Sequence, residues 1–243
     1  MNLVIDIGNS FAKIALLENN KIIKILSYKS LKKDIITEIL IKNPNINGAI
    51  YSSVRTENAD IIELLKNTMA FINFNHQTKI PIKNLYKTKE TLGLDRLASV
   101  IGANQIFPSE DILVIDAGTA ITFDFINAQK EYYGGCISPG LNMRFKALNT
   151  FTEKLPLLSS QVDYKIYGNS TETSIVSGVQ NGIIFEIDEY INRYKTQNKN
   201  LKTILTGGDT NFFVGKLKNS IFAEPNLVFI GLHKILKYNV ENN

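Results

Sequence analysis

Two short acidic turns carry the chemistry that this sequence offers. Asp6-Ile7-Gly8-Asn9-Ser10 closes the apolar run Leu3-Val4-Ile5, and Asp116-Ala117-Gly118-Thr119 closes Leu113-Val114-Ile115. A glycine after a strand lets the backbone turn tightly, so neighbouring N–H groups can face phosphate oxygens. Ser10 and Thr119 each add a hydroxyl. Asp6 repels phosphate as a like charge, so it would act through a divalent cation or a water on that cation. Lys13 offers positive charge to the phosphates if its strand turns it inward. An Asp at a strand end also serves as a turn cap. The second copy tips the reading from capping to chemistry: two Asp-x-Gly-hydroxyl turns facing one cleft would grip a nucleoside triphosphate and its metal. Thr206-Gly207-Gly208-Asp209 follows a further apolar run, and by itself reads as an ordinary strand-to-helix turn.

The elements that must hold these turns form an internal duplication. Leu-Val-Ile-Asp-x-Gly occurs at 3–8 and at 113–118. A second β-rich run follows each copy, Phe11 to Leu17 and Ile121 to Ile126, and polar turns come next at 18–21 and 127–130. Each copy therefore predicts a β-hairpin that opens a lobe. Helical spacing of apolar residues predicts helices over 30–41 and 58–70, with a strand over 48–54 between them. Further helices are expected at 95–107, 143–150 and 171–196, strands at 201–205 and 226–229, and a terminal helix from Gly231. Alternating strands and helices argue α/β with partly parallel sheets. The turn-type cluster at 108–111 sets the boundary, giving lobes of 1–110 and 111–243. The apolar stretch Ile175 to Ile187 is either core or interface.

Composition narrows the class. The chain has 243 residues, 44% apolar and 21% charged, with a net charge of +4. That excludes a disordered chain. The basic residues are scattered and interrupted by apolar ones, which reads as a solvated surface; no nucleic-acid partner is expected. No run approaches a membrane span, and Met1 to Asp6 reads as a strand rather than a leader. Cys136 is the single cysteine, which fits a reducing cytoplasm. With no nearby His or second Cys it reads as a small buried side chain. His76 and His233 belong to no motif and read as surface residues.

Five motifs in order resemble type III pantothenate kinase: Asp6 to Ser10, Gly93 to Arg96, Asp116 to Ala120, Gly134 to Gly140 and Thr206 to Asp209. That family belongs to the actin/sugar-kinase/Hsp70 fold superfamily. The fold so implied has two duplicated ribonuclease-H-like lobes, with mixed sheets flanked by helices and a cleft between them. The implied activity is transfer of the ATP γ-phosphoryl group to the terminal hydroxyl of pantothenate, the first step of coenzyme A synthesis. By resemblance Asp95 is the general base. ATP would be held by Asp6, Ile7, Gly8, Asn9, Ser10, Phe11, Ala12, Lys13 and Thr119. Pantothenate would meet Tyr86, Gly93, Leu94, Asp95, Arg96 and Thr171, the last across a homodimer interface. Asp6 would take magnesium, directly or through water, and Asp116 a monovalent cation, potassium or ammonium.

Outside the motif, Asp95-Arg96 would read as a helix start or surface ion pair, Tyr86 as a half-buried surface ring and Thr171 as a helix cap. Gly134 to Gly140 reads as a loop. Ser10 stands where the family more often has Thr, Leu94 where Ala is common, and Ser170 where Asn is frequent. Two other functions share part of this pattern: a kinase of the same fold for an acetamido sugar or another acceptor, and a non-catalytic transcriptional accessory factor.

Overall fold

The computed structural model describes residues 1–56 and 58–241. Its first strand, β1 (Asn2–Ile7), buries Leu3, Val4 and Ile5 completely. A strand covered on both faces needs a continuous apolar run instead of an alternating one. The chain continues through β2 (Ala12–Glu18), β3 (Lys21–Tyr28), α1 (Lys33–Lys42), β4 (Gly48–Ser53), α2 (Ala59–Thr68) and β5 (Ala70–Asn73). After the two-residue β6 (Lys83–Asn84) and a 3-10 turn (Lys89–Thr91) comes α3 (Leu94–Ile106). The second half runs β7 (Ile112–Ala117), β8 (Ala120–Ile126), β9 (Glu131–Pro139), α4 (Leu141–Thr150) and α5 (Thr171–Gln197). It ends with β10 (Lys202–Thr206), the short α6 (Thr210–Phe213), β11 (Phe222–Ala223) and α7 (Leu227–Glu241).

Two compact units result. The first holds Met1–Pro108, Lys130–Tyr132 and the α7 segment; the second holds Ser109–Gln129 and Tyr133–Asn226. The first unit has a sheet ordered β3-β2-β1-β4-β5, with β1, β2 and β3 antiparallel and β4 and β5 parallel to β1. In the second, β9-β8-β7-β10-β11 repeats that order, again with a meander followed by parallel strands. The duplication expected from Leu-Val-Ile-Asp-x-Gly is thus a duplication of topology. Strand β6 pairs with Glu131 and Tyr132, the part of β9 that belongs to the first unit.

The C-terminal segment departs from the sequence reading. Residues 226–229 do not form a strand; Leu227 opens α7. A short apolar run fits a strand or a buried helix turn equally well. Helix α7 also packs in the first unit, against α3, not in the second lobe. The two helices cross backbone to backbone: a side chain at Gly102 would meet the Leu227 carbonyl, and one at Gly231 would meet the Ala98 carbonyl. His233 of α7 is turned toward β1. It is 4% exposed, contrary to its reading as a surface residue. Its Nε2 lies 2.9 Å from the Asn2 amide nitrogen, and burial, then Lys237 and the terminal ammonium, push its pKa down to about 4.

Other boundaries fall within a few residues of expectation, but Gly134 to Pro139 is strand rather than loop, and Gly140 caps α4. Ile175, Val176, Val179, Ile183, Ile184 and Ile187 of α5 lie in the core of the second unit, while Phe185 of the same stretch is exposed. Cys136 is partly buried against the same core.

Candidate active site

In the first unit β1 delivers Asp6 to the edge of its turn. The Gly8 N–H donates to the Phe11 carbonyl at 3.0 Å, closing a turn whose residues Asn9, Ser10 and Phe11 are exposed. Ile7 stays buried, and Ala12 starts β2. The antiparallel register sets Lys13 directly opposite Asp6. Opposed residues share a face of the sheet, so the expected cation lies beside the expected acid.

Asp95 stands in the first turn of α3, capped by Gly93. Its Oδ1 accepts from the Arg96 N–H at 2.8 Å. A side chain at Gly93 would press on that oxygen, which gives the glycine of Gly-x-Asp-Arg a physical reason. Asp95 acts on Asp6: burial first, then the Asp95 charge, raises the Asp6 carboxyl to about 7, against the opposing pull of Lys13. The residue keeps some exposure while its carboxyl is the enclosed part. Two carboxylates held together favour a shared proton or a cation. No group of three or more His, Cys, Asp or Glu that could hold a metal occurs among the described residues. An acidic pair is nevertheless what magnesium takes when substrate phosphates supply its other ligands, so Asp6 fits that ion.

Arg96 is 7% exposed, with its guanidinium carbon 5.8 Å from the centre of the Tyr86 ring. Tyr86 in turn stacks on the fully buried Tyr132, centroids 6.3 Å apart and planes at 11°. The Tyr86 N–H donates to Asn84 Oδ1 at 2.9 Å. The Arg96 guanidinium thus lies over one ring that a second ring backs, a stacked geometry that lysine would not reproduce. Sequence reasoning finds Tyr86 and misses Tyr132. No local signal distinguishes Tyr132 from an ordinary strand residue.

The second unit builds its own site around Asp116, at the end of β7. Gly118 donates to the Ala120 carbonyl at 3.1 Å, and Thr119 lies in the turn. Two further motifs converge on it. Gly140 donates to the Thr119 carbonyl at 3.2 Å, and a side chain there would collide with Gly118 and Thr119. Gly207 has φ +97, and a side chain on it would strike Asp116 and Ala117. Asp209 donates its N–H to the Ala117 carbonyl at 2.9 Å, and burial raises its carboxyl pKa. The Thr206 to Asp209 segment is thus more than a connecting turn, because it braces the acidic one.

Thr122 faces Asp116 in the β7–β8 register, and its buried hydroxyl has no hydrogen-bond partner among the described residues. A carboxylate beside an orphaned hydroxyl fits an oxygen-loving monovalent cation. Cross-strand pairing makes Thr122 the counterpart of Lys13, a relation readable from the repeat.

Thr171 is the first residue of α5, while Ser170 caps the helix in a reciprocal pair with Thr173. Thr171 lines an open groove of 1240 Å³ together with Pro139, Arg144, Phe151, Ser170 and Gly178. Arg144 is held there by Glu186 and by the Pro139 carbonyl at 2.9 Å.

The duplicated order of strands is that of the actin and sugar-kinase fold. A ROK family protein from Streptococcus pneumoniae, solved in complex with sucrose, shares this fold over 100% of the chain and 99% of its own, with a TM-score of 0.51 at 11% identity. A conserved Baf family protein from Campylobacter jejuni superposes with a TM-score of 0.66 at 26% identity, covering 98% of this chain and 99% of that one. The family model of type III pantothenate kinase matches residues 2–193. A type III pantothenate kinase of Phocaeicola vulgatus is 45% identical across 98% of this chain and 99% of its own. The chain belongs to the type III pantothenate kinase family.

Proposed function

We infer that this chain transfers the γ-phosphoryl group of ATP to the terminal hydroxyl of pantothenate, giving 4'-phosphopantothenate and ADP, the entry into coenzyme A synthesis. Family membership supports the kinase activity, its ATP dependence and the acceptor. One observation carries the assignment of residues: the Asp95 charge, far away in sequence, adds to burial in raising the Asp6 carboxyl, in the same unit that sets Arg96 over the Tyr86 ring.

Phosphoryl transfer needs an oriented nucleophile, a proton acceptor and cations along the phosphates. Asp95 takes the proton as the acceptor hydroxyl forms its bond to the γ-phosphorus and the bond to the leaving ADP oxygen breaks. A carboxylate is suited to that acceptance. Arg96, preoriented by Tyr86 and Tyr132, pairs with the pantothenate carboxylate. The turn from Gly8 to Phe11 gives its backbone donors, and Ser10 its hydroxyl, to phosphate oxygens, with Lys13 adding charge. Asp6 would hold magnesium, directly or through water, and that ion would supply charge neutralisation for the phosphates. Asp116, with Thr122 beside it, holds the monovalent cation, and Thr119 contacts the nucleotide.

The finer reading is a cytoplasmic homodimer that joins through the second unit, with Thr171 reaching the acceptor. Exposed Phe151, Leu157, Val162, Ile166 and Tyr167, between 62% and 86% accessible, support a covered face there.

The test is a coupled ADP-release assay with ATP, magnesium and potassium, run with pantothenate and in parallel with N-acetylmannosamine. Turnover with pantothenate alone is expected. Turnover with the sugar and none with pantothenate would overturn the acceptor assignment.

A further inference from the structure

The nucleotide turn has a second support that no motif announced. Strand β4 lies parallel to β1 with Ser53 beside Ile7, so the two strands end together and the residues beyond them emerge at one edge of the sheet. In open α/β sheets that carboxyl edge is where ligands bind. The pairing runs on for one residue, with the Val54 N–H donating to the Ile7 carbonyl at 3.0 Å. Ser53 Oγ then accepts from the Arg55 N–H and donates to the Arg55 carbonyl, both at 3.1 Å. This hydroxyl-braced bend carries the Arg55 guanidinium to the Gly8–Phe11 turn, where it donates to the Asn9 carbonyl.

That bond ties the tip of the turn to a distant part of the chain, whereas the Gly8 to Phe11 bond that closes the turn is local. Arg55 is exposed and forms no ion pair among the described residues. Lys13, by contrast, already acts on Asp6. A guanidinium has five N–H donors in a fixed fork, and the Asn9 carbonyl engages one nitrogen of it. A cation with no carboxylate partner among the described residues thus stands at the tip of the turn.

Building on the nucleotide-turn reading above, we propose that Arg55 is a positioning residue for ATP: it fixes the Asn9 peptide so that the turn's donors face the triphosphate, and it adds positive charge at that end of the ligand. Its substrate class is the nucleoside triphosphate, not the acceptor. Side chains that fix a bound geometry act mainly by lowering the ordering cost of binding.

The experiment compares wild type, Arg55→Ala and Arg55→Lys by calorimetric titration with ATP and magnesium, by steady-state kinetics and by melting temperature without ligand. Arg55→Ala should weaken ATP binding and raise the KM for ATP by roughly tenfold, the size of one charge-assisted hydrogen bond. The KM for pantothenate and the ligand-free melting temperature should stay where they are. Arg55→Lys should recover part of the loss, and added salt should narrow the gap between wild type and Arg55→Ala. Unchanged ATP binding in Arg55→Ala would overturn the proposal, as would a loss matched by an equal fall in ligand-free stability. Wild type that binds ATP yet turns over no pantothenate would refute the acceptor assignment, and the titration would still decide the role of Arg55.

Discussion

The two Asp-x-Gly hairpins begin alike and are finished differently. In the first, the turn from Gly8 to Phe11 is open, its tip is exposed, and β2 places a cation, Lys13, against Asp6. In the second, the turn is one residue tighter in register, with Thr122 against Asp116, and Gly140 and Gly207 press onto it from two other segments. An open turn beside a paired cation suits a large anion that arrives and leaves. Under the proposed function, a turn packed by backbone, with a carboxylate and a hydroxyl that has no partner among the described residues, would hold a small cation. The same strand and acid occur twice, and the residue opposite the acid is what differs, Lys13 in the first hairpin and Thr122 in the second.

Variants of the two hairpins can break that contrast, and among them the largest effect belongs to Asp6. Asp6→Asn should lower kcat on the order of 10²–10³-fold by removing charge where the triphosphate and its metal are held, read in the coupled assay. The same variant should gain stability in the ligand-free protein. Asp6 has a folded pKa of about 7 against 3.8 for the free side chain, so the folded chain holds the proton more tightly than the unfolded one. Its contribution is fully present below pH 3.8 and is lost as the pH climbs through 7. Asp6→Asn escapes that loss and should exceed wild type above pH 7 by up to about 4 kcal/mol, the difference closing below pH 4. Urea denaturation at pH 4 and pH 8 measures it.

The packed hairpin should answer differently. Gly207→Ala forces a side chain into φ +97 and against Ala117, and should cost about 2–4 kcal/mol. Gly8→Ala, with only an ordinary contact to the Phe11 carbonyl, should cost within about 1 kcal/mol. Denaturation of both variants tests whether the second turn is the rigid one. The smallest effect is expected at Thr122. Thr122→Val removes a hydroxyl without a partner among the described residues and should change stability by less than about 1 kcal/mol in cation-free buffer. It should also weaken stabilisation by added potassium, which a thermal-shift series would show.

Much of this architecture is legible in the amino-acid sequence. The repeated Leu-Val-Ile-Asp-x-Gly announces both hairpins and two lobes, because a buried strand that ends in Asp-Gly leaves a strong local signature. Helices α1, α2 and α5 follow from apolar spacing. Long-range packing is not legible there. Nothing local says that α7 crosses α3 in the first unit, or that His233 ends up buried with its ring against Asn2. Asp95 is found by motif, but that its charge reaches Asp6 depends on packing between distant segments of the first unit. Tyr132 and Arg55 lie outside every motif, since their roles come from strand pairing between distant segments. The glycines at 140 and 207 look like turn residues; only the backbone pressed against them explains why they must be glycine.

Catalysis in this scheme turns on Asp95 as the proton acceptor beside Asp6. Single-turnover measurement of 4'-phosphopantothenate formation by wild type and Asp95→Asn, at saturating ATP, magnesium, potassium and pantothenate, tests that role most directly. Asp95→Asn is predicted to bind ATP like wild type and to form product ~10²–10⁴-fold more slowly. Product formation by Asp95→Asn at the wild-type rate would contradict it.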